Sequence, residues 1–301
     1  MKRVFGVLVT GTLLMIRASS ARADDFVHTE DTAHPEEPTP ALAASRAGAF
    51  VNLWPARDHM AAVFGSELQL QIASRAFLDM SYVTAIATRG DAASDRGVSL
   101  AFGNPTIGAH FAGAILPNLH FALGGSLTAP LLRDPSAAES DAGYFGARVD
   151  GYYNADRFSR DHLAIRAAGA LEWHAAPPLF VRAELRPVAL LAMNDSGVAI
   201  TPTRDSRVSA RRGTTFVLEH AIEIEARSSM GFGVGARLQG VTMPMADDME
   251  QETVEPFVAY SPMRKGAFAR VGMPVALDRD LGPGFDRDKL AGVKVCFGGQ
   301  W

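Results

Sequence analysis

Alternation of apolar and polar residues, repeated in segment after segment, is the feature that most constrains what this chain can fold into. From Asn118 to Leu131, every second residue belongs to one apolar set, and the residues between them are small or polar. The apolar set is Leu119, Phe121, Leu123, Leu127, Ala129 and Leu131. Successive side chains of a β-strand point to opposite faces, so this pattern predicts strands with one apolar face and one polar face.

About twelve such segments follow one another from Arg46 onward. The predicted strands are 46–54, 67–74, 77–88, 97–115, 118–131, 161–174, 178–193, 214–226, 229–242, 253–261, 266–277 and 288–300. The connections between them alternate in length, with short turns such as Leu116-Pro117 and long polar loops such as 132–160. With an even number of strands, this predicts that all short turns and both ends of the strand array lie at one end.

The segment 97–115 changes parity in its middle. Its apolar residues are even-numbered up to Phe102 and odd-numbered from Ile107, with Gly103-Asn104-Pro105 between them. A β-bulge at this point would absorb one extra residue and keep both apolar sets on the same face.

Strand length and loop alternation decide which way the apolar face points. The predicted strands are about 10–15 residues long, whereas strands of water-soluble proteins are typically near 5–6 residues. Long strands joined by alternating short and long loops are typical of membrane barrels, which turn the apolar face to lipid. The fold prediction is all-β: a single up-and-down antiparallel transmembrane β-barrel of about twelve strands over residues 46–301. The alternative is an exported water-soluble β-protein with the apolar face inside.

The first 45 residues are predicted to be a targeting signal and a tail. Met1-Lys2-Arg3 is followed by a 13-residue, mostly apolar stretch and by Ala21-Arg22-Ala23, so residues 1–23 are interpreted as a cleaved signal peptide. Its four basic residues take the formal charge from −4 to −8 on removal, which argues against nucleic acid as a partner. Residues 24–45 carry six carboxylates and three prolines, and they are predicted to be a disordered acidic tail.

The final strand carries a resemblance to a known class of proteins. Val293, Val295, Phe297 and Trp301 share one parity, and the sequence ends on the aromatic residue. This pattern resembles the assembly signal of Gram-negative outer-membrane β-barrels, although phenylalanine is commoner than tryptophan at that last position in the family. The resemblance implies a place in the bacterial outer membrane, contact with its lipid, and recognition by the barrel-assembly machinery through the strand ending at Trp301.

A second, shorter resemblance lies in the bulged segment. Residues 102–111, FGNPTIGAHF, are similar to a stretch of outer-membrane proteins grouped with meta-pathway phenol-degradation channels. That resemblance implies passage of small, aromatic compounds.

If the apolar face points to lipid, charged residues of the other parity face the lumen. The residues predicted to line a pore or bind a solute are Arg166, Glu172, Arg182, Glu184, Arg186, Glu219, Glu223, Arg237 and Arg270. Two interpretations stay open: the arginines select anionic or polar solutes in a narrow channel, or ion pairs fill the interior and leave little pore. The aromatic and basic loop 132–160 either folds into the mouth of the barrel or packs its own aromatic residues outside.

The sequence offers no enzyme signature. Twelve-stranded outer-membrane phospholipases place a serine two residues after a histidine on a lipid-facing strand, and none of the eight histidines here has serine at that position. Metal and cofactor motifs are also absent from the sequence, so no cofactor is expected. The predicted function is passive passage of small aromatic or anionic solutes through the outer membrane. The alternatives are a structural barrel with a plugged lumen and a soluble exported barrel that binds a ligand inside.

Overall fold

A computed structural model describes residues 41–55, 59–89, 98–131, 137–149, 153–176, 178–195, 198–200, 210–244, 250–261, 265–277 and 292–301. The predicted signal peptide and residues 24–40 of the predicted tail lie outside these ranges. The strands of the first half are β1 (Arg46–Pro55), β2 (His59–Ala73), β3 (Ala76–Arg89), β4 (Val98–Phe102), β5 (Thr106–Leu116), β6 (Leu119–Thr128), β7 (His162–Ala176) and β8 (Leu179–Ala192). Those of the second half are β9 (Val198–Ile200), β10 (Ala210–Arg212), β11 (Thr215–Arg227), β12 (Phe232–Thr242), β13 (Glu250–Tyr260), β14 (Gly266–Gly272), β15 (Val275–Ala276) and β16 (Val293–Gln300).

Within the described ranges, three short helical elements accompany the strands. The helix α1 (Ala137–Val149) and a 3₁₀ helix (Ala155–Phe158) lie between β6 and β7, and a second 3₁₀ helix (Ala41–Ala43) precedes β1. Among the described residues, no helix is long and apolar enough to cross a membrane.

Hydrogen-bonded neighbours run round the molecule in a closed ring. Each barrel strand pairs antiparallel with its neighbour round the ring, β8 with β11 and β14 with β16 among them, and β16 pairs with β1 to complete the circle. Two strands are interrupted: β4 and β5 both pair with β3, and β14 and β15 both pair with β13. Counting each interrupted pair once gives a barrel of twelve strands, with β9 and β10 forming a small hairpin outside it. The predicted fold class is therefore confirmed.

The strand registers define how the barrel is sheared. A path can be traced from Arg46 through the paired residue on each strand in turn, with the registers extended where strands end. After one full circle the path returns to β1 about 14 residues beyond Arg46. A stagger of this size for twelve strands corresponds to strands tilted by about 40°.

The apolar face points outward. Leu123, Leu185 and Ile222 are 59%, 52% and 50% exposed. No second sheet covers them, because the only other sheet in the described residues is the β9–β10 hairpin. The outward apolar face is what a barrel needs in order to sit in hydrocarbon.

The bulge predicted in the fourth barrel strand is present. Thr84 pairs with Phe102 on β4 and Ser81 with Thr106 on β5, so three residues of one strand oppose two of the other. The extra residue keeps the apolar face of β4 and β5 on the outside: Phe102 and Ile107 are both exposed although their numbers differ in parity.

Strand β2 begins earlier than the sequence pattern predicted. The prediction placed a long loop at 55–66 and a strand at 67–74, whereas β2 starts at His59. Along 60–64, the inward residues Ala61 and Val63 are as apolar as the outward Met60 and Phe64. The period-two contrast disappears there because the inward face also meets an apolar environment.

That environment is an apolar cluster inside the long-loop half of the barrel. Helix α1 packs against β1 to β4, and the chain after it returns through the lumen. Ala142, Ala147 and Phe158 are 5% exposed or less, and they pack with inward residues of the wall such as Val83 and Leu190. The described part of loop 132–160 thus folds into the barrel.

The opposite end is also partly filled. Residues 41–45, predicted as the end of the disordered tail, enter the lumen at the short-turn end. Leu42 is buried against Phe77, Ala112 and Ala122. The described structure therefore includes residues 41–45, which the sequence pattern assigned to the tail.

Because neighbouring residues of a strand lie on different faces, the same charge placed on each should affect the stability of the barrel differently. Ala167 is exposed on the outer face, and Ala168 lines the interior opposite Arg186 of β8. We expect Ala167→Glu to destabilise the inserted barrel by about 1 kcal/mol or more, because its carboxylate faces lipid. Ala168→Glu, the matched control, meets water and arginines and should change stability little. Urea titration of the barrel folded into vesicles measures both; equal effects would contradict the assignment of faces.

Candidate functional site

An internal cavity of about 480 Å³ occupies the barrel from its short-turn end to the returning segment 153–157. The walls come from inward residues of nearly every barrel strand. They divide into two sides of different chemistry.

One side of the cavity is smooth and small. Strands β5, β6 and β7 turn toward it a patch without long side chains, consisting of Gly108, Ala122, Gly124, Ser126, Ala168 and Ala170. With nothing larger than serine in this patch, space for water and solute lies along Gly108, Gly124, Ser126 and Ala168, whereas Leu42 packs on Ala122.

The other side is crowded with charge, centred on Glu184 of β8. Three guanidinium groups converge on this one carboxylate: Arg182 Nε at 2.9 Å, Arg186 Nη2 at 2.6 Å and Arg237 Nη2 at 3.2 Å. Three guanidiniums therefore share the charge of one carboxylate, and Arg237 also shares that of Glu223.

Further pairs continue the network around the wall toward β16. Arg237 Nη1 and Arg270 Nη1 both contact Glu223 Oε2, at 3.4 and 2.7 Å. Arg270 Nη2 also binds Glu255 Oε1 at 2.9 Å, and Lys294 Nζ lies 3.8 Å from Glu255 Oε2. These contacts join β8, β11, β12, β13, β14 and β16 in one chain of ion pairs.

The balance of charge along the cavity is positive. Among the described lining residues, nine are basic and six are acidic. The chain as a whole has a formal charge of −4, so the cavity differs in sign from the molecule. A confined positive surface concentrates anions.

The nine residues predicted to line a pore or bind a solute all point inward, but they do not form one set. The seven that line the cavity are Arg166, Arg182, Glu184, Arg186, Glu223, Arg237 and Arg270. Glu172 is 6% exposed near the short-turn end, where His174 Nε2 lies 2.9 Å from it. Glu219 is 2% exposed and accepts a hydrogen bond from the backbone of Asn154 at 2.7 Å. Their role in solute passage stays a prediction.

The returning segment is held to the wall by buried polar contacts. Arg166 Nη2 lies 2.6 Å from Asp156 Oδ1 and 3.5 Å from Glu219 Oε2, and Thr128 donates a hydrogen bond to Asp156. Arg157 reaches across to Glu67 at 3.3 Å. Because Arg166, Asp156 and Glu219 are buried, removing one of these partners would leave an unpaired charge, which is costly.

Tyr153 lies where this segment meets the cavity. Its hydroxyl is 3.2 Å from Glu184 Oε2, and the guanidinium carbons of Arg186 and Arg237 lie 5.1 and 5.5 Å from its ring centre. Burial raises the pKa of Tyr153 to about 12, so the hydroxyl stays protonated and donates to Glu184. The segment thus closes the cavity with an aromatic ring that is fixed by the charged wall.

The bulge between β4 and β5 supplies the anchor of the segment. Asn104, fully buried, donates from Nδ2 to the carbonyl oxygens of Asp156 at 3.1 Å and Ser159 at 2.7 Å. Its backbone N–H donates to the Arg157 carbonyl at 2.6 Å. A Cβ on Gly103 would stand 2.8 Å from that same carbonyl, so only glycine permits this close approach.

At the other end, residues 41–45 are bound through their backbone. Gln69 Nε2 donates to the carbonyl oxygen of Ala44 at 2.7 Å. His110 bridges two acceptors, with Nδ1 2.6 Å from Asp79 Oδ2 and Nε2 3.1 Å from the Leu42 carbonyl.

Several of these residues were not among the predicted pore or solute-binding set. The sequence identifies Asn104 only as part of a bulge, and Tyr153 and Arg157 only as members of an aromatic, basic loop. No pattern in the sequence marks Leu42. The signal available for Tyr153 and Arg157 was the unusual composition of their loop; for Asn104 it was a polar residue at a parity break.

Comparison with known proteins supports the fold. No protein-family model and no curated protein matches the chain. A solved structure, the COG4313 outer membrane channel from Pseudomonas putida F1, is similar with a TM-score of 0.59 and 13% identity over 90% of this chain and all of that one. The NanC porin has a TM-score of 0.47 with 10% identity (86% and 99% coverage), and the KdgM porin 0.45 with 8% (83% and 97%).

At 13% identity, the first of these similarities establishes the fold and nothing finer. The chain has the fold of outer-membrane β-barrels, as the C-terminal strand indicated. The resemblance of residues 102–111 to meta-pathway channels stays a prediction, since no family model matches.

The structure predicts that Asn104 controls how firmly the returning segment is seated. Asn104→Ala removes two buried hydrogen bonds, to the carbonyl oxygens of Asp156 and Ser159, which costs about 2 kcal/mol. We expect faster amide hydrogen exchange in 153–159 while the barrel stays folded, as shown by heat-modifiable migration. Asn118→Ala, in an exposed short turn at the far end, is the matched control and should leave that exchange unchanged. Unaltered exchange in Asn104→Ala would contradict the anchoring role.

Proposed function

We propose that this protein is an outer-membrane channel through which small polar solutes diffuse passively, with a preference for anions. The observation that carries the proposal is the two-sided cavity. A smooth wall of small residues faces a wall with excess arginine, which is the arrangement a narrow, charge-selective passage requires. The outward apolar face and the fold support a location in the outer membrane; export through a cleaved signal peptide remains part of the proposal.

The returning segment sets the condition for passage. It occupies the long-loop half of the lumen in the described structure, so solute crosses only when the segment shifts or yields space beside the smooth wall. Its polar anchors, such as Asn104 and the Arg166–Asp156 pair, hold it at the end of the cavity rather than along it. We therefore propose that the segment gates the channel.

A specific observation favours a second candidate, a structural barrel with a closed lumen. The apolar cluster around Phe158 and Ala147 has the character of a permanent core. Passage of small aromatic solutes also stays a proposal, because its basis is the short resemblance at 102–111. An aromatic anion such as benzoate would satisfy both that resemblance and the positive wall.

Conductance measurements separate these candidates. In planar bilayers with a gradient of potassium chloride, the purified folded protein should give discrete current steps. The sign of the reversal potential should be that of a channel that prefers chloride to potassium. The reason is the excess of basic lining residues. Absence of current at all voltages would favour the closed structural barrel, and a cation-selective reversal potential would contradict the assigned wall charge.

The smooth wall predicts where the passage can be blocked. Ala168→Trp projects an indole into the cavity and should reduce single-channel conductance roughly twofold or more. The matched control Ala167→Trp places the same ring on the lipid-facing side and should leave conductance unchanged. Equal conductance in both variants would show that ions do not follow the smooth wall.

A further inference from the structure

We propose that Arg46 and Arg182 form a binding site in the lumen for an oxyanion, the carboxylate or phosphate group of a solute. The site rests on the proposed function, since such a solute has to enter the barrel. It is nevertheless defined by the geometry and can be tested without ion current.

The two arginines stand on opposite sides of the barrel. Arg46 belongs to β1 and Arg182 to β8, which are the first and seventh of twelve strands round the ring. Both line the same cavity. Their side chains therefore point toward each other across the lumen.

The registers place both at the same height. Stepping from Arg46 through the paired residues of six strands leads to Val188 on β8. Because the strands are tilted, a path through paired residues climbs along the barrel axis. Halfway round the ring it has climbed by half of the total stagger, about seven residues, so the level position on β8 lies about seven residues before Val188. The residue of β8 level with Arg46 is therefore about one residue from Arg182.

Arg46 has unused binding capacity. Among the described residues that line the cavity, Arg46 is the basic residue with no ion pair or hydrogen bond to another side chain or to the backbone. A guanidinium has five N–H donors and cannot lose its charge at physiological pH. In a confined cavity, such a group attracts an anion.

Arg182 contributes the opposite half. Its contact with Glu184 uses Nε, so Nη1 and Nη2 make no hydrogen bond within the described part of the chain. Arg186 and Arg237 already compete for the same carboxylate. The positive charge of Arg182 is therefore only partly neutralised, and its terminal nitrogens can bind an incoming oxyanion.

The carboxylates near this level have other partners. Glu225 accepts two hydrogen bonds from Arg227, both at 2.8 Å, and Glu172 pairs with His174. On the β1 side, Asp79 is taken by His110. Glu67 pairs with Arg157 at 3.3 Å, and Glu223, which lies opposite Arg182 in register, pairs with Arg237 and Arg270. Among the described residues, Glu184 is the one carboxylate in an ion pair with either Arg46 or Arg182.

Direct titration of the folded barrel in a non-ionic detergent tests the site. Broadening of the ³¹P resonance of inorganic phosphate and calorimetry with succinate report the two oxyanion classes in separate arms. We expect saturable binding of at least one, weakened about tenfold or more by Arg46→Gln and by Arg182→Gln, because each removes one of two charge-assisted contacts. Arg46→Lys, which keeps the charge, should bind more tightly than Arg46→Gln.

Arg75→Gln provides the matched control, since Arg75 is an exposed arginine in the turn at the same end of the barrel. Its binding should equal that of the unaltered protein. Heat-modifiable migration of each variant establishes that the barrel is folded. The site is overturned, with the channel left intact, if the unaltered protein shows no saturable binding. It is also overturned if folded Arg46→Gln and Arg182→Gln both bind as tightly as the unaltered protein. Binding without conductance overturns the channel and leaves the site.

Discussion

Pairing of the backbone is the constraint on which the rest of this structure depends. In hydrocarbon, an N–H or carbonyl group without a partner costs several kcal/mol, so a sheet in the membrane has to close. Closure is achieved by pairing β16 with β1. Once the ring is closed, the apolar face is free to meet lipid, and the charged face is confined to a space where its groups have to satisfy one another.

The interior contains two different environments along its axis. The long-loop half resembles the core of a soluble protein, with Phe158 and Ala147 packed against apolar wall residues. The short-turn half is aqueous in character, with Glu184 and its three arginines beside a wall of small residues. Tyr153 lies at the boundary between the two halves. Its ring packs with the apolar cluster, and its hydroxyl contacts the charged wall of the cavity.

Alternation in the sequence was sufficient to predict the barrel class, the approximate strand number and the direction of Leu123 and Leu185. The prediction succeeded for strands whose two faces differ in polarity, because alternation in the sequence is visible only when one face is apolar and the other is polar. It missed the start of β2, where Ala61 and Val63 are apolar inside as well as outside. It also could not locate the contacts of Asn104 or Leu42, which join segments far apart in the chain and depend on three-dimensional packing rather than on any local pattern. The inward direction of Arg186 and Arg237 was predictable, but their convergence on one carboxylate was not, since that depends on register.

The seam between β1 and β16 has a consequence for how this molecule is made. Its partners, such as Arg46 and Gln300, lie almost at the two extremes of the folded chain. Contacts of such long sequence separation form slowly. Until these contacts form, the sheet has two unpaired edge strands, which can pair with another chain as readily as with each other. Protection of these two edges until β16 pairs with β1 would prevent such wrong pairing, and the predicted recognition of the final strand by the barrel-assembly machinery would provide it.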